Sequence, residues 1–247
     1  MTTRENVRSG ISEFCRKLTL SQTIVRLCEG TATFEQESFL HAALLKELEN
    51  RALGRRDRFL KQAGFPGHKT LEGYNFTTLK LPSHITANDL MTCSFIKAKR
   101  NIVMYGPVGT GKTHLAIALG VKACELGCQT RFFTAAELVN LLSEAKKVGN
   151  LQKLINDLSK SQLLIIDEWG YVPVDREGAQ LLFRIVTDAY ESRSLIITTN
   201  LEFSKWGNIF TDDQMAAAMI DRLAHHGYLF LFEGESYRMK NALMKKK

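Results

Sequence analysis

Eight consecutive residues have the types and order needed to hold a polyphosphate: Gly106, Pro107, Val108, Gly109, Thr110, Gly111, Lys112 and Thr113, with His114 next. They follow a short apolar run, Ile102-Val103-Met104-Tyr105, and open a helix-forming stretch. Glycines at these spacings let backbone N–H groups turn inward around phosphate oxygens at a helix N-terminus. Lys112 can reach the β- and γ-phosphates, and the Thr113 hydroxyl is a ligand type suited to Mg²⁺. Strand, loop and helix come in the required order, so the chain is expected to bind a nucleoside triphosphate.

Two acids, Asp167 and Glu168, end the apolar run Leu163-Leu164-Ile165-Ile166. Burying charge is costly without a partner, and beside a phosphate loop that partner is a metal ion. Asp167 is expected to hold Mg²⁺, and Glu168 to polarise an attacking water. The pair favours hydrolysis over transfer to a small acceptor. Asn200 ends another apolar run, Leu195-Ile196-Ile197-Thr198-Thr199, where its amide could orient the water or cap the following turn. Arg222, in an otherwise apolar helical stretch, could be paired with Asp221 or Asp212. It could equally meet the charge developing on a transferring phosphoryl group, as could Arg238. His225 and His226 are given no catalytic role.

An alternating series of elements must position these groups. Residues 1–65 read as a separate helical region: Ile11, Phe14, Cys15 and Leu18 repeat at helical spacing, and Thr33 with Gln36 forms a capping box for a helix running to Ala63. Residues 66–84, without clear periodicity, read as a linker. From residue 85 to 247, strands and helices alternate: a helix over Lys112–Leu126 closed by Gly127, a strand at Thr130–Phe133, a polar helical stretch from Ala135 to about Leu158, a helix over Arg176–Tyr190, and a last strand at Leu229–Phe232. This predicts an α/β fold with a mostly parallel sheet preceded by a small all-α domain.

The 247 residues are 45% hydrophobic and 24% charged, the profile of a globular chain, with a formal net charge of +7. A basic balance favours a polyanionic partner. Arg51, Arg55, Arg56, Arg58 and Lys61 cluster near the end of the long helix, against Asp57 alone. The five cysteines show no ligand spacing; Cys124 and Cys128 are expected to pack on one helix. Lys245-Lys246-Lys247 reads as a frayed basic tail. With no apolar run near the ~18 residues of a membrane span and no signal-peptide core, the expected location is cytoplasmic, with no membrane contact.

The order of Gly106–Thr113, Leu163–Glu168, Thr198–Asn200, Asp221-Arg222-Leu223 and Glu235-Ser236-Tyr237-Arg238 resembles an AAA+ ATPase of the DnaA/DnaC clade, and more closely the IstB-type helper ATPases of bacterial insertion sequences. The resemblance covers nearly the whole chain. It implies ATP and Mg²⁺ as ligands, Lys112 and Thr113 as Walker A, Asp167 and Glu168 as Walker B, and Asn200 as first sensor. Arg222 would be the finger acting on a neighbouring subunit's nucleotide, and Arg238 the second sensor within its own subunit. The family also implies a homo-oligomeric ring or spiral, double-stranded DNA and a cognate transposase as partners. Its clade carries an extra helix before Walker B that engages DNA; here that falls within residues 135–160, with Lys146, Lys147, Lys153 and Lys160. Trp169 is bulkier than the methionine expected there, a difference of packing. The nearest alternative is a replicative helicase loader of the DnaC type. A DNA-coating architectural protein and a small-molecule kinase are the others, and a kinase would explain neither Arg222 nor the basic arm.

Overall fold

The computed structural model of the chain describes residues 3–74, 76, 79–171, 174–210 and 212–240, so the basic tail Lys245-Lys246-Lys247 lies outside the described residues. The contacts divide the chain into two compact units, Met1–Arg58 and Phe59–Lys247.

The first unit is built from α1 (Arg4–Lys17), α2 (Thr23–Thr31) and most of α3 (Phe34–Ala63). Val7, Ile11, Cys15 and Leu18 recur every three or four residues, form one stripe of α1, and are buried with Cys28 and Leu44. The Thr33–Gln36 box forms as expected: the Gln36 N–H donates to Thr33 Oγ1 at 3.3 Å, and the Thr33 N–H to Gln36 Oε1 at 2.9 Å. Helix α2 did not stand out in the sequence because its nine residues are too short for a clear period.

Glu37, in the first turn of α3, has a fully buried side chain. Its carboxylate accepts from Arg4 Nε at 2.8 Å and from Arg8 Nη2 at 2.7 Å. Those hydrogen bonds, Arg4 first and then Arg8, outweigh burial and hold the carboxyl at about 2 against an ordinary 4.5.

The second unit contains a six-stranded sheet in the order β1-β6-β2-β5-β4-β3. The strands are β1 (Leu79–Lys80), β2 (Asn101–Tyr105), β3 (Thr130–Thr134), β4 (Leu163–Asp167), β5 (Ser194–Thr199) and β6 (Gly227–Phe232). All pairings are parallel except β1 with β6. Side chains alternate across the pleat, so Leu163 and Ile165 face one core while Leu164 and Ile166 face the other. The first face is covered by α4 (Ala87–Met91), α5 (Ser94–Lys97) and α6 (Lys112–Glu125). The second is covered by α7 (Ala135–Lys147), α8 (Leu151–Leu158), α9 (Arg176–Ala189), α10 (Gly207–Phe210) and α11 (Asp213–His225). A short α12 (Tyr237–Lys240) follows β6.

Three expectations need correction. The stretch from Ala135 to Leu158 is two helices, because Gly149 takes a left-handed φ of 73° and the Asn150 N–H closes back on Ala145 O at 2.7 Å. Cys128 lies beyond the end of α6 and does not share a helix with Cys124. Residues 66–84 contribute Leu71 and Leu79 to the core and supply β1, which two residues of sequence could not announce. The described residues contain no helix long and apolar enough to cross a membrane.

Because Glu37 is depressed in the folded state, its contribution to stability is full above about pH 4.5 and is lost as pH falls towards 2. Glu37→Gln should lower the melting temperature of the first unit by several degrees at pH 7. The difference from the parent chain should shrink between pH 4.5 and 2 in circular-dichroism melts; a constant difference would exclude the charge as the stabilising element.

Candidate nucleotide-binding site

Strand order brings the chemically capable residues together. β5 lies between β2 and β4, so the ends of three adjacent parallel strands, about 4.8 Å apart, carry Gly106, Asn200 and the Asp167–Glu168 pair. The Gly106 N–H donates to Thr199 O at 3.3 Å, anchoring the start of the loop to the neighbouring strand end.

Gly106 and Gly109 both have positive φ, 155° and 82°. A Cβ at Gly106 would overlap Phe232 O, and one at Gly109 would overlap Ser236 Oγ. The loop is thus squeezed between the end of β6 and the segment after it, whose Tyr237 N–H donates to Gly109 O at 3.0 Å. Gly111 caps α6, and Pro107 and Val108 are exposed at the tip. Thr110 Oγ1 donates to Pro107 O at 2.8 Å. Lys112 Nζ donates to Gly106 O and Pro107 O, both at 2.7 Å, so the ammonium lies across the loop's own carbonyls. Burial pulls Lys112 down to about 8, with Asp167 opposing and Arg238 adding to the fall. His114, two residues after Lys112, is exposed, its ring 5.6 Å from that of Tyr74. Burial, then Lys69, lowers its pKa. Tyr74 carries no sequence signal.

Asp167 is 4% exposed. Its oxygens accept from Thr113 Oγ1 at 2.9 and 3.0 Å and from Thr198 Oγ1. Among the described residues it makes no ion pair, an unusual state for a buried carboxylate. A carboxylate and a hydroxyl are hard oxygen donors, and such a set fits Mg²⁺. Glu168 is exposed, with a left-handed φ of 58°. That backbone costs about 1–3 kcal/mol in a non-glycine residue. The turn is fixed by the Glu168 N–H on Thr198 Oγ1 at 3.1 Å and the Trp169 N–H on Thr198 O at 2.9 Å. Thr198 therefore joins both acids, a role hidden in an apolar strand whose only hint was Thr-Thr-Asn at its end. Trp169 is buried, with ring centroids 5.5 Å from both Trp206 and Phe210.

Asn200 is exposed at the tip of β5. Arg238 is exposed on α12 and close enough to Lys112 to disfavour its charge. Arg222 is elsewhere. Helix α11 ends at His225, immediately before β6 begins at Gly227 beside Asn101, at the sheet edge opposite the phosphate loop. Arg222 pairs with neither Asp221 nor Asp212: its Nη1 donates to Ala218 O at 2.8 Å, and its guanidinium lies 5.2 Å over the Phe183 ring. Near that edge Glu191, His225 and His226 cluster. Arg100 Nη1 lies 2.9 Å from His226 Nδ1, and an arginine can only donate, so His226 carries its proton on Nε2 and donates it to Glu191 at 2.8 Å. Both ring nitrogens of His226 are thereby engaged without a metal ion.

Arg51 pairs with Glu47, Arg56 with Asp57 and Lys146 with Glu177. Arg55, Arg58 and Lys61 on α3, Lys147 on α7 and Lys153 on α8 are exposed.

Residues 19–245 match the family described as IstB-like ATP binding protein. The chain is 36% identical over 239 residues to a Geobacillus stearothermophilus protein described as an ATP-binding protein of insertion sequence IS5376, covering 95% of each. It is 40% identical over 223 residues to the corresponding description for IS21 in Pseudomonas aeruginosa, covering 90% of this chain and 84% of that one. Among solved structures, the DnaC helicase loader superposes with a TM-score of 0.52 at 21% identity, over 71% of this chain and 99% of the loader. AMPPCP-bound DnaA from Aquifex aeolicus gives 0.53 at 21% identity, over 72% and 54%. At that identity the likeness concerns the fold, a phosphate-loop domain of the AAA+ type. Loop, strand order and sequence agree: the chain belongs to the IstB-like ATP-binding protein family and has an AAA+ fold.

Proposed function

We propose that the protein is an ATP-hydrolysing assembly switch that lines up on double-stranded DNA in the cytoplasm and recruits or stimulates a transposase. The observation that carries this reading is the buried Asp167 carboxylate facing Thr113, one residue beyond a lysine that lies across the phosphate loop. On binding ATP, Lys112 exchanges two loop carbonyls for phosphate oxygens. Thr113 and Asp167 would hold Mg²⁺, which would supply positive charge against the triphosphate. Glu168 polarises the attacking water, Asn200 orients it, and Arg238 contacts the γ-phosphate in its own subunit.

Arg222 serves a neighbour. Its place on α11, toward the sheet edge away from its own loop, supports a site completed between subunits of a ring or spiral. The exposed Arg55, Arg58, Lys61, Lys147 and Lys153, with the net charge of +7, support contact with a DNA backbone. Arg51, Arg56 and Lys146 contribute by sharing their present acidic partners. Relatives described as insertion-sequence proteins support the transposase as partner.

Lys112→Ala should abolish ATP binding and ATP-dependent assembly on DNA, read by nucleotide titration and sedimentation; undiminished assembly would contradict the coupling. Lys112 loses its proton near pH 8 without nucleotide, whereas a polyphosphate favours the charged form. ATP affinity should therefore be flat below pH 8 and fall above it, with proton uptake on binding at pH 9; a flat profile from pH 7 to 9.5 would remove this role. Glu168→Gln should bind ATP normally, lower turnover by roughly 10²-fold or more and prolong DNA complexes. Normal turnover would show that another group activates the water.

A further inference from the structure

The guanidinium of Arg222 is fixed in a way that preserves its charge. Among the described residues no carboxylate pairs with it; an aromatic ring lies beneath it, and one N–H is tied to its own helix at Ala218 O. A carboxylate partner would compete with any incoming phosphate, and releasing it would cost binding energy at the moment of reaction. An aromatic face holds the cation by its quadrupole and leaves the other donors open, since arginine has five and only one is used here. Phe183 is on α9, partly buried and packed against the core containing Met219 and Leu223 of α11. The ring therefore packs against the same core as the helix that carries Arg222.

We infer that Phe183 is the positioning residue for Arg222, presenting its guanidinium in a set plane to the triphosphate held by a neighbouring copy of this chain. The inference rests on the reading of Arg222 as a shared group. Positioning matters because a flexible arginine must be ordered at each turnover, whereas a stacked one is ordered in advance.

The test uses mixed full-length subunits. A subunit with Arg222→Ala supplies an intact phosphate loop, and a subunit with Glu168→Gln binds ATP, assembles and supplies Arg222 while hydrolysing ATP poorly itself. Together, with duplex DNA and Mg-ATP, they should recover hydrolysis. Adding Phe183→Leu to the Glu168→Gln subunit keeps apolar volume and removes the aromatic face. It should lower kcat of the mixture by about tenfold, the equivalent of one partly desolvated cation–π contact, with KM for ATP unchanged. Phe183→Tyr in the same subunit should restore kcat, and thermal melts establish that each variant is folded. If the leucine donor matches the phenylalanine donor, or if tyrosine fails to rescue it in a folded chain, the positioning role is overturned while Arg222 keeps its own. If the reference mixture itself shows no turnover, Arg222 is not shared and the inference falls with it.

Discussion

The buried Asp167 carboxylate organises this site. Asp167 is kept out of water by strands on both sides, and hydroxyls from Thr113 and Thr198 are its hydrogen-bond partners. Two neutral donors compensate a desolvated charge only in part, so the site retains an electrostatic demand for a positive ion. The surrounding geometry follows from that demand. Thr113 opens α6 where its hydroxyl meets the carboxylate, and Thr198 ties the same carboxylate to the backbone of Glu168. The strained turn at Glu168 persists because β4 and β5 both hold it.

The same economy of charge recurs at Arg222. Its guanidinium lies over the Phe183 ring and donates to Ala218 O, with no carboxylate partner among the described residues. Glu37 shows the contrary arrangement. There two arginines neutralise one buried acid completely, as suits a group that holds helices together and has no ligand to meet. Pairing an ion fully makes structure; leaving it partly satisfied leaves room for chemistry.

Movement at the loop has a visible starting point. Lys112 is bonded to carbonyls that it must release when phosphate enters, and the segment bearing Ser236 and Tyr237 lies against Gly109. The phosphate loop and the segment that carries Arg238 are therefore in direct contact.

The sequence by itself determined the local chemistry: the glycine-rich loop, the acids closing an apolar strand, the capping box at Thr33 and most of the parallel strands. Each depends on neighbours within a few residues, where spacing and side-chain type are enough. It could not determine which strands lie side by side. β5 enters between β2 and β4 through long crossovers, and only that order brings Asn200 and Thr198 to the acids. Nor could it reveal that Arg222 rests on Phe183, that Tyr74 flanks His114, or that Glu37 is buried between Arg4 and Arg8. Those contacts join residues dozens of positions apart or on different helices, and they exist because a closely packed interior leaves each side chain few places to go.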